Sequence, residues 1–152
     1  MLDSAVSETQ WREGLFACAQ EVLETMFFTP VQGEVEPAPV GREAIVVSLN
    51  FSGGQQGRFM VSISKDCAEG IATNFLGIEH RAELAPGQTE QVAGELANMV
   101  CGAVLSRIQP GGRFDLTHPE LVISLPATLG VEVISAVAGV DGGEVELALS
   151  FT

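Results

Sequence analysis

Two stretches of this chain read alike, and their likeness limits the folds open to it. The run from Val47 to Ser64 turns at Gly53-Gly54, and the run from Val133 to Phe151 turns at Asp141-Gly142. Both are rich in β-branched and aromatic residues on either side of the glycines, the pattern of an antiparallel hairpin. A long amphipathic helical pattern precedes each at some distance, so the chain is read as an imperfect internal repeat of helix plus hairpin. The fold expected is α+β: an antiparallel sheet covered by long amphipathic helices. At 152 residues and 46% hydrophobic, positions 1–152 are expected to form a single domain with a substantial core.

The local signals place the elements. Ser7 and Gln10 have capping-box spacing, and the first helix continues through Trp11, Leu15, Ala19, Val22 and Met26 until Pro30 ends it. Strand-like runs follow at Gly33–Val35, Ala44–Phe51 and Arg58–Ser64, which read as a meander of antiparallel strands. Ser64 caps a second helix over 66–76, with Gly77 at its end. A long helix from about Thr89 to Ile108 is stopped by Pro110-Gly111-Gly112. Strands are then expected at Leu121–Leu125, Val131–Val137 and Glu144–Phe151.

Composition excludes some function classes. A net charge of −13, with only seven Lys plus Arg, opposes phosphate backbones and anionic lipid surfaces, so neither nucleic acid nor membrane is an expected partner. No stretch is long and apolar enough to span a bilayer. Cys18, Cys67 and Cys101 are odd in number and lack metal-type spacing; two fall on helices at or beside apolar positions, where cysteine serves as a small hydrophobe. A reduced, cytoplasmic setting is expected, and the N-terminus shows no basic and apolar regions of a secretory signal.

The long helix carries the clue to chemistry. At about 100° per residue, Val92, Leu96, Met99, Val100 and Ala103 form an apolar stripe, and Gln91, Glu95, Asn98 and Gly102 form a second stripe roughly 120° away. A carboxylate, an amide and a position without a side chain make a flat surface that another backbone can approach closely. Gly94 and Gly102 each cost about 1 kcal/mol relative to alanine inside a helix, which points to close approach by a partner or by another helix. The spacing alone also fits an ordinary solvated face. The stripe holds no nucleophile and no histidine, so chemistry there draws its reactive group from a partner or from water. His80 and His118 fall in expected loops and are read as surface residues.

With the segment Glu95-Leu-Ala-Asn98-Met-Val-Cys-Gly102 followed downstream by Ile123-Ser-Leu-Pro126-Ala-Thr-Leu-Gly130, the chain resembles the CheX members of the CheC/CheX/FliY phosphatases. The resemblance extends to the opening helix ending in Glu24-Thr-Met-Phe-Phe28, the hairpin, and the short helix near Ser64. It implies a chemotaxis phosphatase that removes phosphate from the aspartyl phosphate of CheY or a related receiver domain. In that reading Asn98 positions the attacking water, Glu95 pairs with the receiver's lysine, and Gln91, Gly94 and Gly102 contact the partner. Family members place Asp or Ser where this chain has Gln91. No cofactor of its own is implied, since Mg²⁺ is expected on the receiver. CheC carries two such sites and CheX the later one. Laying the first helix on the third puts Glu21 opposite Glu95, Glu24 opposite Asn98 and Phe28 opposite Gly102, so the early helix is expected to be silent. A noncatalytic receiver-binding adaptor and a flagellar-switch-like structural protein are the alternatives of the same fold. The resemblance also implies a homodimer, supported in the sequence by an apolar terminal strand, Val145–Phe151, that is hazardous as a free edge.

Overall fold

A computed structural model of the chain describes residues 6–37, 43–122 and 133–152. Helix α1 spans Glu8–Met26, followed by strands β1 (Val31–Glu34), β2 (Ala44–Gly53) and β3 (Gly57–Ser64). Helix α2 (Lys65–Leu76), a 3₁₀ turn at Arg81–Glu83 and helix α3 (Gln88–Ile108) come next. Strands β4 (Phe114–Leu116), β5 (Glu120–Val122), β6 (Val133–Val140) and β7 (Gly143–Phe151) complete the described elements. The fold is the expected α+β arrangement with an antiparallel sheet.

The caps act as their chemistry requires. Ser7 and Gln10 exchange side-chain-to-backbone hydrogen bonds, satisfying two otherwise unpaired N–H groups of α1. The Ser64 hydroxyl accepts from the Cys67 N–H at the start of α2, and Gly77 closes that helix in the left-handed conformation at φ 70°. Helix α1 stops at Met26 and not at Pro30. Phe28 stands beyond it with φ 53°, an uncommon conformation for a bulky residue, and its ring is 66% exposed. It therefore lies off the helical stripe on which the sequence alone matches it with Gly102.

Among the described residues the strand order is β1-β6-β7-β3-β2-β4, with β5 also paired to β2. The hairpins β2–β3 and β6–β7 join through β3 and β7, Met60 lying opposite Ala148. The pseudo-repeat is thus real, but its halves are interleaved. Strand β1, which follows α1, pairs with β6, and β4, which follows α3, pairs with β2. Helix α1 likewise packs on β6, while α3 packs on β2 and β3. The expected meander is corrected here, because β1 does not neighbour β2. The terminal strand is corrected as well: β7 is hydrogen-bonded on both sides and is no edge, so the sequence support for a dimer through it disappears.

One core lies between the helices and the sheet. Leu49 and Phe51 of β2, Phe59 and Val61 of β3, and Leu147 and Leu149 of β7 meet Trp11 and Leu15 of α1 and Leu96 and Val100 of α3. Trp11 packs edge-on to Phe151 at a centroid distance of 5.0 Å, tying the start of α1 to the central strand. Each fully buried Leu side chain contributes about 1.5–3 kcal/mol, so this broad apolar face holds α3 rigidly.

Candidate functional site

Helix α3 buries Val92, Ala93, Leu96, Ala97, Val100, Cys101, Val104 and Leu105, which leaves it one narrow free face. Gln91, Glu95 and Asn98 lie on that face and are exposed. Glu95 and Asn98 are separated by about 4.5 Å along the axis and 60° around it, so their head groups stand side by side. No hydrogen bond to another described residue holds either one. Gly102 is half-buried, and a Cβ added there meets no described residue within 4 Å.

Gly94 behaves differently from the other stripe residues. It is buried, and a Cβ there lies 3.4 Å from Pro119 Cβ. Its neighbour lies within the chain, in the segment between β4 and β5, at ordinary contact distance from where an alanine Cβ would stand.

That segment has a local cause. Leu116 pairs with Phe51 and Glu120 with Ser48, both on β2. Between those pairs Thr117 sits opposite Asn50: its N–H donates to the Asn50 carbonyl at 2.9 Å, and its hydroxyl accepts from the Asn50 N–H at 2.9 Å. His118 and Pro119 are then left opposite Leu49 alone. Two residues against one make a β-bulge, which bends the strand and lifts its extra residue. Pro119, which has no N–H to leave unpaired, crosses α3 at Gly94. Gly53, at φ 142°, helps to bring this strand in, since a Cβ there would overlap the Arg113 carbonyl oxygen.

The outcome is a groove of about 960 Å³. Helix α3 forms one wall with Gln91, Glu95 and Asn98, the bulge forms another, and Phe75 and Leu76 from the end of α2 close one side. Phe75 is fixed by stacking on buried Phe27 at 4.5 Å. Glu90, Glu95 and Glu120 supply carboxylates to the lining, and no Lys or Arg is among the described lining residues. His118 is an exposed loop residue, as expected, and it also lines this groove. Sequence patterning does not reveal the bulge, because the three residues of β4 are too short a run to show a strand period; Pro119 beside a strand-like run is the available signal.

Other candidate groups lie elsewhere. Cys101, on the buried side of α3, has its thiol pushed up to about 12 by burial, and burial also raises that of Cys18 despite the nearby Arg107. Both are protonated at neutral pH and behave as apolar fillers. On α1, Glu24 accepts from the Val31 N–H at 3.0 Å and so holds the start of β1. The downstream segment Ile123–Gly130, with Pro126, lies outside the described residues. Among the described residues no helix is long and apolar enough to cross a membrane, and no group of three or more His, Cys, Asp or Glu is placed to hold one metal ion.

The family model described as chemotaxis phosphatase CheX matches residues 45–140, well over half of the chain. The chain belongs to the CheX family. Solved structures agree in fold. A CheX chemotaxis protein from Desulfovibrio desulfuricans superposes with a TM-score of 0.75 at 18% identity, covering 94% of this chain and 99% of its own. CheX from Vibrio vulnificus gives 0.73 at 19% identity, covering 96% and 99%. The CheX–CheY–BeF₃–Mg²⁺ complex from Borrelia burgdorferi gives 0.72 at 17% identity, covering 93% and 97%. No curated protein sequence matches this CheX-family chain.

Proposed function

We propose that this CheX-family chain dephosphorylates the aspartyl phosphate of a CheY-type receiver domain in the cytoplasm, using Asn98 and Glu95. The observation that carries the reading is the pair itself: a carboxylate and an amide, neither bonded to a described residue, side by side on a helix whose other faces are locked in the core. Rigid backing matters, because orientation accounts for a large part of such catalysis and is lost if the positioning group wanders. The Borrelia burgdorferi CheX, of the same fold, is solved in complex with CheY, BeF₃ and Mg²⁺, which supports a receiver as partner.

In the proposed reaction Glu95 accepts a charge-assisted hydrogen bond from the receiver's lysine and fixes the docking register. Asn98 enters beside the phosphoryl group, its amide holding a water in line with the bond to be broken. The water oxygen bonds to phosphorus as the bond from phosphorus to the aspartyl oxygen breaks. Inorganic phosphate leaves with the water's oxygen, and the carboxylate is restored. Such a loose transition state requires little proton removal, so a neutral amide suffices. Mg²⁺ belongs to the receiver, where it offsets the phosphoryl charge. Gln91 and Gly102 contact the receiver on either side of the pair.

The test is release of inorganic phosphate from acetyl-phosphate-treated receiver domains of the same organism. Accelerated release that needs Asn98 supports the proposal. Tight binding without acceleration would establish the adaptor reading in its place.

A further inference from the structure

We propose that the bulge and the strand after it, His118–Leu121, form the receiver-selecting wall of this groove, and that the receiver face it selects carries a basic side chain beside an apolar one. The inference rests on the proposed receiver partner and adds what decides which receiver fits. Its first support is position. Pro119 is seated on Gly94, and Gly94 lies one helical turn, about 6 Å, from Asn98. A domain large enough to deliver a phosphoryl group to Asn98 therefore meets this wall as it docks.

Charge supplies the second support. Glu90 of α3 and Glu120 of β5 line the groove from its two walls, and no Lys or Arg among the described lining residues offsets them. The receiver lysine assigned to Glu95 leaves both carboxylates unanswered, and carboxylates covered by a docking partner oppose docking unless a cation of the partner answers them. A second basic side chain on the receiver meets that need. The third support is Leu121, which follows Glu120 directly and is 58% exposed although β5 is hydrogen-bonded to β2. An exposed leucine at the mouth of an acidic groove offers an apolar contact beside the ionic one. Pinning of Thr117 on Asn50 and of Pro119 on Gly94 holds this wall in place before a partner arrives.

The test uses the full chain and receiver domains of the same organism, each activated with BeF₃⁻ and Mg²⁺, with affinity read by calorimetric titration and turnover read separately. Glu120→Lys should weaken binding of the preferred receiver about tenfold and flatten its dependence on ionic strength, as expected for an interfacial charge. Leu121→Ser should weaken it several-fold with the salt dependence unchanged. Both residues are exposed, and Glu120→Gln, with a smaller loss, guards against misfolding of the reversal variant. Wild-type turnover together with unchanged affinity in Glu120→Lys and Leu121→Ser overturns the selecting wall and leaves the phosphatase reading intact. Binding that the variants weaken, without any turnover, overturns the phosphatase reading and upholds the wall. A wild-type chain that binds no receiver overturns both.

Discussion

Replacing Asn98 by alanine separates folding from chemistry at this site. Its amide is exposed and bonded to no described residue, so its removal takes nothing from the core and opens no cavity. Helix propensity favours alanine over asparagine by up to about 0.7 kcal/mol, and the thermal midpoint should hold steady or rise slightly. The proposed reaction responds in the opposite direction. Loss of one positioned hydrogen-bonding group in an active site typically lowers the rate about 10²–10³-fold, or about 2.7–4 kcal/mol of transition-state stabilisation. Receiver affinity should change little, since Glu95, Gly102 and the bulge wall remain. Phosphate release from an acetyl-phosphate-treated receiver, followed under single-turnover conditions, reads the chemical step directly. Glu95→Ala is the counterpart and should weaken binding together with turnover. An Asn98→Ala protein that works within twofold of wild type would refute the water-positioning role.

Gly102→Ala should stabilise α3 by up to about 1 kcal/mol, because its Cβ meets no described residue, whereas Gly102→Phe should fold normally yet lose receiver binding; thermal melts with titration check both halves. Glu21→Ala should leave the rate within about twofold, since the early helix ends at Met26 and Glu24 is engaged with β1, and a loss comparable with that of Asn98→Ala would reveal a second working site. Cys101 adds a pH dependence with a definite sign. Its thiol is raised from 9.0 to about 12, so the unfolded chain releases this proton first, and stability should be unaffected below pH 9 and fall between pH 9 and 12. Cys101→Ala should reduce that slope in alkaline denaturant titrations, and an identical slope removes the assignment. The homodimer implied by the family resemblance should give twice the 16.0 kDa chain mass in light scattering at micromolar concentration, and the monomer mass refutes it.

Signals that act over a few residues are legible in the amino-acid sequence. The Ser7–Gln10 box, the Ser64 cap and the Gly77 terminus mark helix ends because the groups they satisfy lie within one turn. The polar stripe of α3 is equally readable, since 3.6-residue periodicity separates Glu95 and Asn98 from the buried Leu96 and Val100. Hairpin turns at Gly53 and Gly142 follow from the same local chemistry, each glycine taking a positive φ.

Pairing between distant strands has no comparable local signature. Strand β1 could have met β2, its neighbour in sequence, and only the assembled sheet puts it on β6. The apolar terminal strand has the same pattern whether it is an edge or a centre, and its pairing with both β3 and β6 makes it a centre. Phe28 and Gly102 align by residue spacing, but α1 ends before Phe28 is reached. Spacing leaves open what approaches Gly94; Pro119, a neighbour only through the β4–β5 bulge on β2, lies against it and makes His118, Glu120 and Leu121 part of the groove. The long helices, the two hairpins and the Glu95–Asn98 face are legible in the amino-acid order, because periodicity and capping act over one or two turns, whereas β4 is too short to show a period. Tertiary structure alone decided which strands meet and what stands opposite that face, because those contacts join residues far apart in the chain and depend on how the whole core packs.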